Sequence, residues 1–288
     1  ALAFIEQGIH VICDKPLSLN LKEARQLEKA LAKHPDVIFA LTHNYSGYPM
    51  IRHAKAMVKA GELGEIRLVQ GEYPQDWLTT ALEKTGQKQA EWRTDPKRSG
   101  AGGCVGDIGT HTYQLMCDVS GLSATELSAD LTTFVRGRQI DDNVHVMLRF
   151  DNGARGMIWA SQVAPGNENG LKIRVYGTKG GLEWTQADPN YLWYTPFGEP
   201  KRLITRGGAG SGPAAGRVTR VPPGHPEGYL EGFANLYSEV ARAIKAKRAG
   251  KKQDKDVAFP GIADGIAGMA FIEACVKSSK KNGKWTKL

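Results

Sequence analysis

The apolar pattern of the chain changes period near residue 45, and this switch restricts the possible folds more than any other feature. Before it, apolar residues come in short unbroken runs, IHVIC (9–13) and VIFAL (37–41). Such runs mark strands buried on both faces of a parallel sheet. Between them, 19–33 has helical spacing, with Ser18 as the expected cap. ALAFIEQG reads as the last turns of a further helix, closed by Gly8. After the switch, helical spacing returns at 49–60, and a new regime opens at IRLVQGEY (66–73). Apolar and polar residues then alternate over 126–135, 143–150, 154–163, 171–176, 181–186, 191–195 and 201–205. That is the pattern of an antiparallel sheet with one wetter face. Asn152-Gly153 and Gly180-Gly181 are expected turns. Residues 103–119, 229–249 and 261–281 read as helices, while 74–101 and 206–228 read as irregular. The fold class is α/β plus α+β: a parallel piece over 1–45, then a domain over 46–288 with a large, mainly antiparallel sheet flanked by helices.

The length fits two domains at about 150 residues each. With 41% apolar and 24% charged residues, the chain is not a disordered one. Its net charge of +8 suggests nucleic acid until it is located. Residues 1–240 carry 26 basic and 26 acidic groups, whereas 241–288 carry 12 and 4. Trp285 is the only aromatic within those basic runs, where a nucleic-acid face would interleave several. The excess is read as a solvated helix end and tail, with no nucleic-acid partner. Four widely spaced cysteines (Cys13, Cys104, Cys117, Cys275) without C-x-x-C fit a reducing compartment. No apolar run approaches 18 residues and no secretory leader is read. A cytoplasmic protein without membrane contact is expected.

Four segments hold residue types suited to chemistry. Cys-Asp-Lys-Pro (13–16) ends the first strand, where open α/β sheets bind ligands. Pro16 restricts the backbone of Lys15, so the amine is held at the crevice; the alternative is a plain surface lysine. S-G-A-G-G-C-V-G-D-I-G-T-H (99–111) leads glycines into a helix, letting backbone N–H groups approach a ligand. Asp107 and His111, four apart, share a helix face and suit a base with an orienting carboxylate. A satisfied helical pair is the bland alternative. No metal is expected: only one histidine is present in the motif, and His145 is the sole distant candidate with strand context. Trp92 and Arg93 could stack on a flat ring and meet an anion, or simply pack the loop. His225 and Tyr229 could line a sugar pocket, or form a helix-start turn. Gly210–Ala215 matches G-x-G-x-x-A, but no strand before it or helix after it is read, so it is set aside as a phosphate loop. The chain holds no G-x-G-x-x-G, G-x-S-x-G or Walker lysine motif.

These segments together resemble the glucose–fructose oxidoreductase / inositol dehydrogenase (Gfo/Idh/MocA) family. HVICDKPLS is similar to its E-K-P segment, with Asp14 for Glu. THNYSGYP is similar to N-Y-R-x-x-P, with Ser46-Gly47 where Arg is common. Residues 99–111 are similar to G-G-G-x-x-x-D-x-G-x-H, and FPGIADGIAGMAFIEACVKSS resembles the closing helix. The resemblance covers the whole chain. It implies an NAD- or NADP-dependent dehydrogenase of a sugar, anhydro-sugar or cyclitol. Lys15, Asp107 and His111 would be the catalytic set, with His111 as base oriented by Asp107. Lys15, Pro16, Asn44, Trp92 and Arg93 would meet the cofactor; Lys15, Tyr45, Asp107, His111, His225 and Tyr229 would meet a small polyhydroxylated substrate. The open sheet would join copies into a dimer or tetramer. A non-catalytic sugar- or cofactor-binding regulator on the same fold is the competing reading; such a protein is expected to lack the Lys or the His.

The resemblance also implies that residues 1–45 are the C-terminal part of a Rossmann domain. The family's glycine fingerprint precedes that part. The chain opens on Ala1, inside an expected helix, so a fragment lacking about 80–90 preceding residues is expected. Such a polypeptide would not bind NAD(P) tightly, and micromolar NADH binding would overturn that expectation.

Overall fold

The computed structural model describes residues 1–288. It opens on helix α1 (Leu2–Glu6), strand β1 (Val11–Cys13), helix α2 (Leu21–Lys33) and strand β2 (Phe39–Leu41). β1 and β2 pair in parallel, Val11 with Phe39 and Cys13 with Leu41. α2 starts two residues later than expected. Asn20, not Ser18, accepts the Glu23 N–H at 3.0 Å, and the Glu23 carboxylate accepts the Leu19 N–H. Ala24, Leu27 and Ala30 form its buried side.

A single turn at Asn44–Gly47 leads to α3 (Pro49–Lys59) and β3 (Ile66–Pro74). The stretch read as irregular contains α4 (Lys88–Arg93) and α5 (Pro96–Ser99). A wide π turn (Val105–Gly109) then runs into α6 (Thr110–Ser120). Strands follow: β4 (Ala124–Thr132), β5 (Asn143–Phe150), β6 (Arg155–Ser161), β7 (Lys172–Gly177), β8 (Gly180–Thr185), β9 (Tyr191–Pro196) and β10 (Arg202–Thr205). The one-turn helix α7 (Pro213–Gly216), then α8 (Tyr229–Arg248), α9 (Ile262–Ser279) and β11 (Thr286–Lys287) close the chain.

Nine strands form one sheet, in the order β10-β9-β8-β7-β3-β6-β5-β4-β11. Every pairing is antiparallel except β3 with β6. The Asn152-Gly153 turn joins β5 to β6, with Gly153 at φ +89. The Gly180 turn is displaced: Thr178 and Lys179 make it, and both glycines lie in β8. β4 ends at Thr132 rather than 135. The buried Asp142 carboxylate accepts the N–H groups of Phe134 and Val135 and draws them off the sheet.

Inner-facing Val69, Val146, Leu148, Ile158 and Val175 meet Leu115 and Met116 of α6 in one core. Gly71 permits this: a Cβ there would lie 2.3 Å from Thr112 Cγ2. α9 packs on β4, α2 and β2, so it ties the small parallel sheet to the large one. The region of the set-aside glycine motif differs from expectation, since β10 precedes it and α7 follows. That helix is four residues long, and Gly212 N–H donates to His53.

Candidate active site

A cleft of about 830 Å³ opens at the carboxyl ends of β1 and β2. Asp14, Lys15 and Pro16 follow β1; Thr42, Asn44 and Tyr45 follow β2; Asp107 and His111 come from the π turn and α6. The periods of strand and helix therefore converge on one point, as open α/β sheets do. Thr42 hydroxyl donates to the Asp14 carboxylate, which joins the two strand ends. The glycine run is shaped from behind. The Asp141 carboxylate accepts the N–H groups of Gly103 at 2.7 Å and Val105 at 2.8 Å. Burial raises the Asp141 carboxyl to about 6, although those two donors pull it down.

Lys15 Nζ lies 3.1 Å from Asp107 Oδ1 and also donates to the Asp107 backbone carbonyl. Gln162 Nε2 donates to Asp107 Oδ2 at 2.8 Å, and Arg93 Nε stands 3.4 Å from the same oxygen. Burial alone would raise this carboxyl, but the Lys15 and Arg93 charges prevail and hold it below its usual value. Asp107 is thus a fixed anion between two cations. An ammonium has three N–H donors, and two are spent on Asp107, leaving one for an oxygen in the cleft.

The expected Asp107–His111 pair does not form. The Asp107 carboxylate is taken by Lys15, Gln162 and Arg93. His111 Nδ1 instead meets His43 Nδ1 at 3.4 Å, their rings edge-on at 84°. Burial, then the Lys15 charge and His43, keep His111 well below its usual range, so its imidazole is neutral at pH 7. Burial and Lys15 push His43 down to about 3.

A polar wall faces His111. Tyr45 and Tyr73 hydroxyls lie 2.5 Å apart; Tyr73 donates to Asn169 Oδ1 at 2.7 Å, and Gln75 Nε2 donates to the same atom at 2.9 Å. Arg93 lies over the Trp92 ring, 4.3 Å from its centroid, and both line the cleft with Tyr229. Asn44 Nδ2 is buried without a partner, although Asn44 itself lines the cleft. A buried amide donor of this kind fits an oxygen of a bound cofactor or substrate.

His225 does not line the cleft. It lines a second cavity, of about 480 Å³, with Asn190, Arg206 and Glu227. Arg206 donates to the carbonyls of Val221, Pro222 and His225 and pairs with Glu227 at 3.0 Å. This pins the turn on the wall of that second cavity, which adjoins the cleft at Gln186. Sequence reasoning missed His43, Gln162, Tyr73, Gln75 and Asn169. His43 was within reach, since it precedes Asn44 at the end of a buried strand. Tyr73 lies at the end of β3 and Gln75 just after it, Gln162 follows β6 and Asn169 lies in the loop before β7, so the sheet register unites them.

Residues 51–183 match the model of the GFO/IDH/MocA C-terminal domain, and residues 1–43 match that of an oxidoreductase family with an NAD-binding Rossmann fold. The uncharacterized oxidoreductase YfiI of Bacillus subtilis (strain 168) is 34% identical over 98% of this chain and 72% of its own length. The chain belongs to the Gfo/Idh/MocA oxidoreductases. A crystal structure of an oxidoreductase from Sinorhizobium meliloti is 58% identical, with a TM-score of 0.88, over 99% of this chain and 74% of its own. An inositol dehydrogenase homolog from Azotobacter vinelandii, complexed with NADH and myo-inositol, is 32% identical with a TM-score of 0.90, over 100% and 74%. The Rossmann-type piece and the large sheet are therefore those of this family, whose N-terminal model describes an NAD-binding fold. No group of three or more His, Cys, Asp or Glu side chains is placed to hold a metal. No helix is long and apolar enough to cross a membrane.

Proposed function

We propose that this oxidoreductase moves a hydride between NAD(P) and a hydroxyl-bearing carbon of a sugar, anhydro-sugar or cyclitol, within the cleft of Lys15, Asp107 and His111. The observation that carries the reading is the convergence of a fixed ammonium, a fixed anion and a neutral imidazole on that one cleft. The myo-inositol complex of the Azotobacter vinelandii homolog supports the substrate class. When bound, the nicotinamide accepts the hydride that leaves the carbinol carbon. His111 takes the hydroxyl proton, and the free Lys15 N–H stabilises the developing alkoxide. Asp107 holds Lys15 in place and offers its oxygens to neighbouring hydroxyls. Asn44, Pro16, Trp92 and Arg93 meet the cofactor, and Tyr45 and Tyr229 meet the substrate ring. His225 has no place in this set. A regulator without turnover would have no need of these three groups in one cleft.

In this reading residues 1–45 serve the cofactor and 46–288 serve substrate and assembly. The outer face of the sheet exposes Leu68, Met147 and Met157, with Met147 and Met157 paired across strands. That face joins a second copy. Four free cysteines suit a reducing cytoplasm. Lys15→Ala tests the site directly. The expected outcome for the complete enzyme is a kcat/KM loss of about 100-fold or more in a chain that still folds, with some stability lost because Asp107 loses a paired cation. An unchanged rate would remove Lys15 from the mechanism.

A further inference from the structure

We infer that His43 is a positioning residue: it accepts a hydrogen bond from His111 Nδ1–H and so leaves His111 Nε2 bare toward the cleft. The inference rests on the dehydrogenase reading for its purpose but not for its geometry. The two Nδ1 atoms face one another at 3.4 Å, with ring centroids 5.3 Å apart. His43 is 1% exposed and lies behind the cleft, whereas His111 lines it. Two neutral imidazoles meeting nitrogen to nitrogen share one proton, which leaves two arrangements. With the proton on His43, His111 carries its own hydrogen at Nε2 and has no lone pair for a substrate proton. With the proton on His111 Nδ1, Nε2 is the lone pair, and it has no protein partner to block it. Only the second arrangement gives a base.

The other groups around the His111 ring do not supply this function. Tyr45 and Tyr73 stand edge-on and tilted, at 5.0 and 6.3 Å between centroids, and their hydroxyls are committed to each other and to Asn169. Asp107, the carboxylate that spacing suggested, is committed to Lys15, Gln162 and Arg93. His43 therefore does with a neutral acceptor what a carboxylate does beside many catalytic histidines. When His111 takes the hydroxyl proton at Nε2, its Nδ1–H bond to His43 becomes charge-assisted and strengthens. The alcohol loses a hydride from carbon and a proton from oxygen, and both are accounted for.

The test uses side chains that keep or remove the acceptor. Asn places Oδ1 where His43 Nδ1 stands; Phe keeps the ring shape without an acceptor; Gln places its oxygen one carbon further out. Enzyme labelled with ¹⁵N at the histidine rings reports the tautomer of His111 with no substrate present. Wild type and His43→Asn are expected to show His111 protonated at Nδ1, and His43→Phe to move the proton to Nε2. With a polyol that the complete enzyme oxidises, His43→Phe is expected to lower kcat by about 10- to 100-fold while KM stays within about threefold. His43→Asn is expected to stay near wild type. If the Phe variant folds poorly, the Asn and Gln pair decides, with Asn expected to keep the Nδ1 tautomer and Gln to lose it. A wild-type His111 protonated at Nε2, or a tautomer unmoved by Phe and Gln, overturns the proposal. If the complete wild-type enzyme shows the Nδ1 tautomer yet oxidises no polyol, the positioning stands and the dehydrogenase reading falls.

Discussion

Asp141 illustrates how much of the site depends on residues outside the cleft. Its buried carboxylate holds two N–H groups of the glycine run. Replacing it with Ala leaves both without a partner, so Asp141→Ala is expected to cost about 2–4 kcal/mol in denaturant unfolding. Buried imidazoles set the acid response. His43, His53 and His111 all lie below their usual 6.5 in the folded chain, with burial as the main cause. The unfolded chain therefore binds more protons as pH falls below 6.5, and stability falls with it, by up to about 1.4 kcal/mol per pH unit for each imidazole. Asp141 acts in the opposite sense between 3.8 and about 6, where the folded chain holds the extra proton. The three imidazoles outweigh it. Unfolding midpoints are expected to drop from pH 7 to pH 5, and His43→Asn to flatten that drop. The residue types Lys15, Asp107 and His111 were legible because loop-end lysines and helical His–Asp spacings are local patterns. The partner of His111 was not, because it is chosen by which strand end lies beside α6.

At the scale of elements, the cleft depends on two backbones that touch. A Cβ on Gly47 would lie 2.3 Å from the Gly232 carbonyl oxygen, and Asn235 donates to the Gly47 carbonyl at 2.9 Å. This contact seats α8, which brings Tyr229 and Phe233 to the cleft. Gly47→Ala is expected to cost about 1–3 kcal/mol and to raise KM more than it lowers kcat, read by denaturation and steady-state kinetics. The departure from N-Y-R-x-x-P falls on the neighbouring Ser46, whose hydroxyl donates to the His43 carbonyl at 2.8 Å. The strands from 143 to 205 were legible because side-chain alternation reflects the burial of one face. The ends of α2 and β4 were not, since Asn20 outcompetes Ser18 as cap and Asp142 captures two N–H groups that β4 would otherwise use. His225 was misplaced for a similar reason: Arg206 ties its turn down through carbonyls, which no side-chain pattern reveals.

Across the whole molecule, the large sheet buries one face and leaves the other apolar in part. Leu68, Met147 and Met157 are 45%, 54% and 47% exposed on adjoining strands. Met147→Lys combined with Met157→Lys is expected to convert an oligomer to a monomer in light scattering, with the fold retained. An unchanged mass would remove that face as an interface. The concentration of positive charge in residues 241–288 lies on α8, α9 and their flanks, away from the cleft-lining groups. The overall charge therefore carries no information about the substrate. One cleft would thus perform polyol oxidation with His111 as base. NAD(P)H formation by the complete enzyme across cyclitols, anhydro-sugars and hexoses, with wild type and His111→Ala compared on each, decides this. The expected result is turnover of at least one of them by wild type, and a kcat lower by about 100-fold or more in His111→Ala. Equal turnover by both proteins would remove His111 as the base.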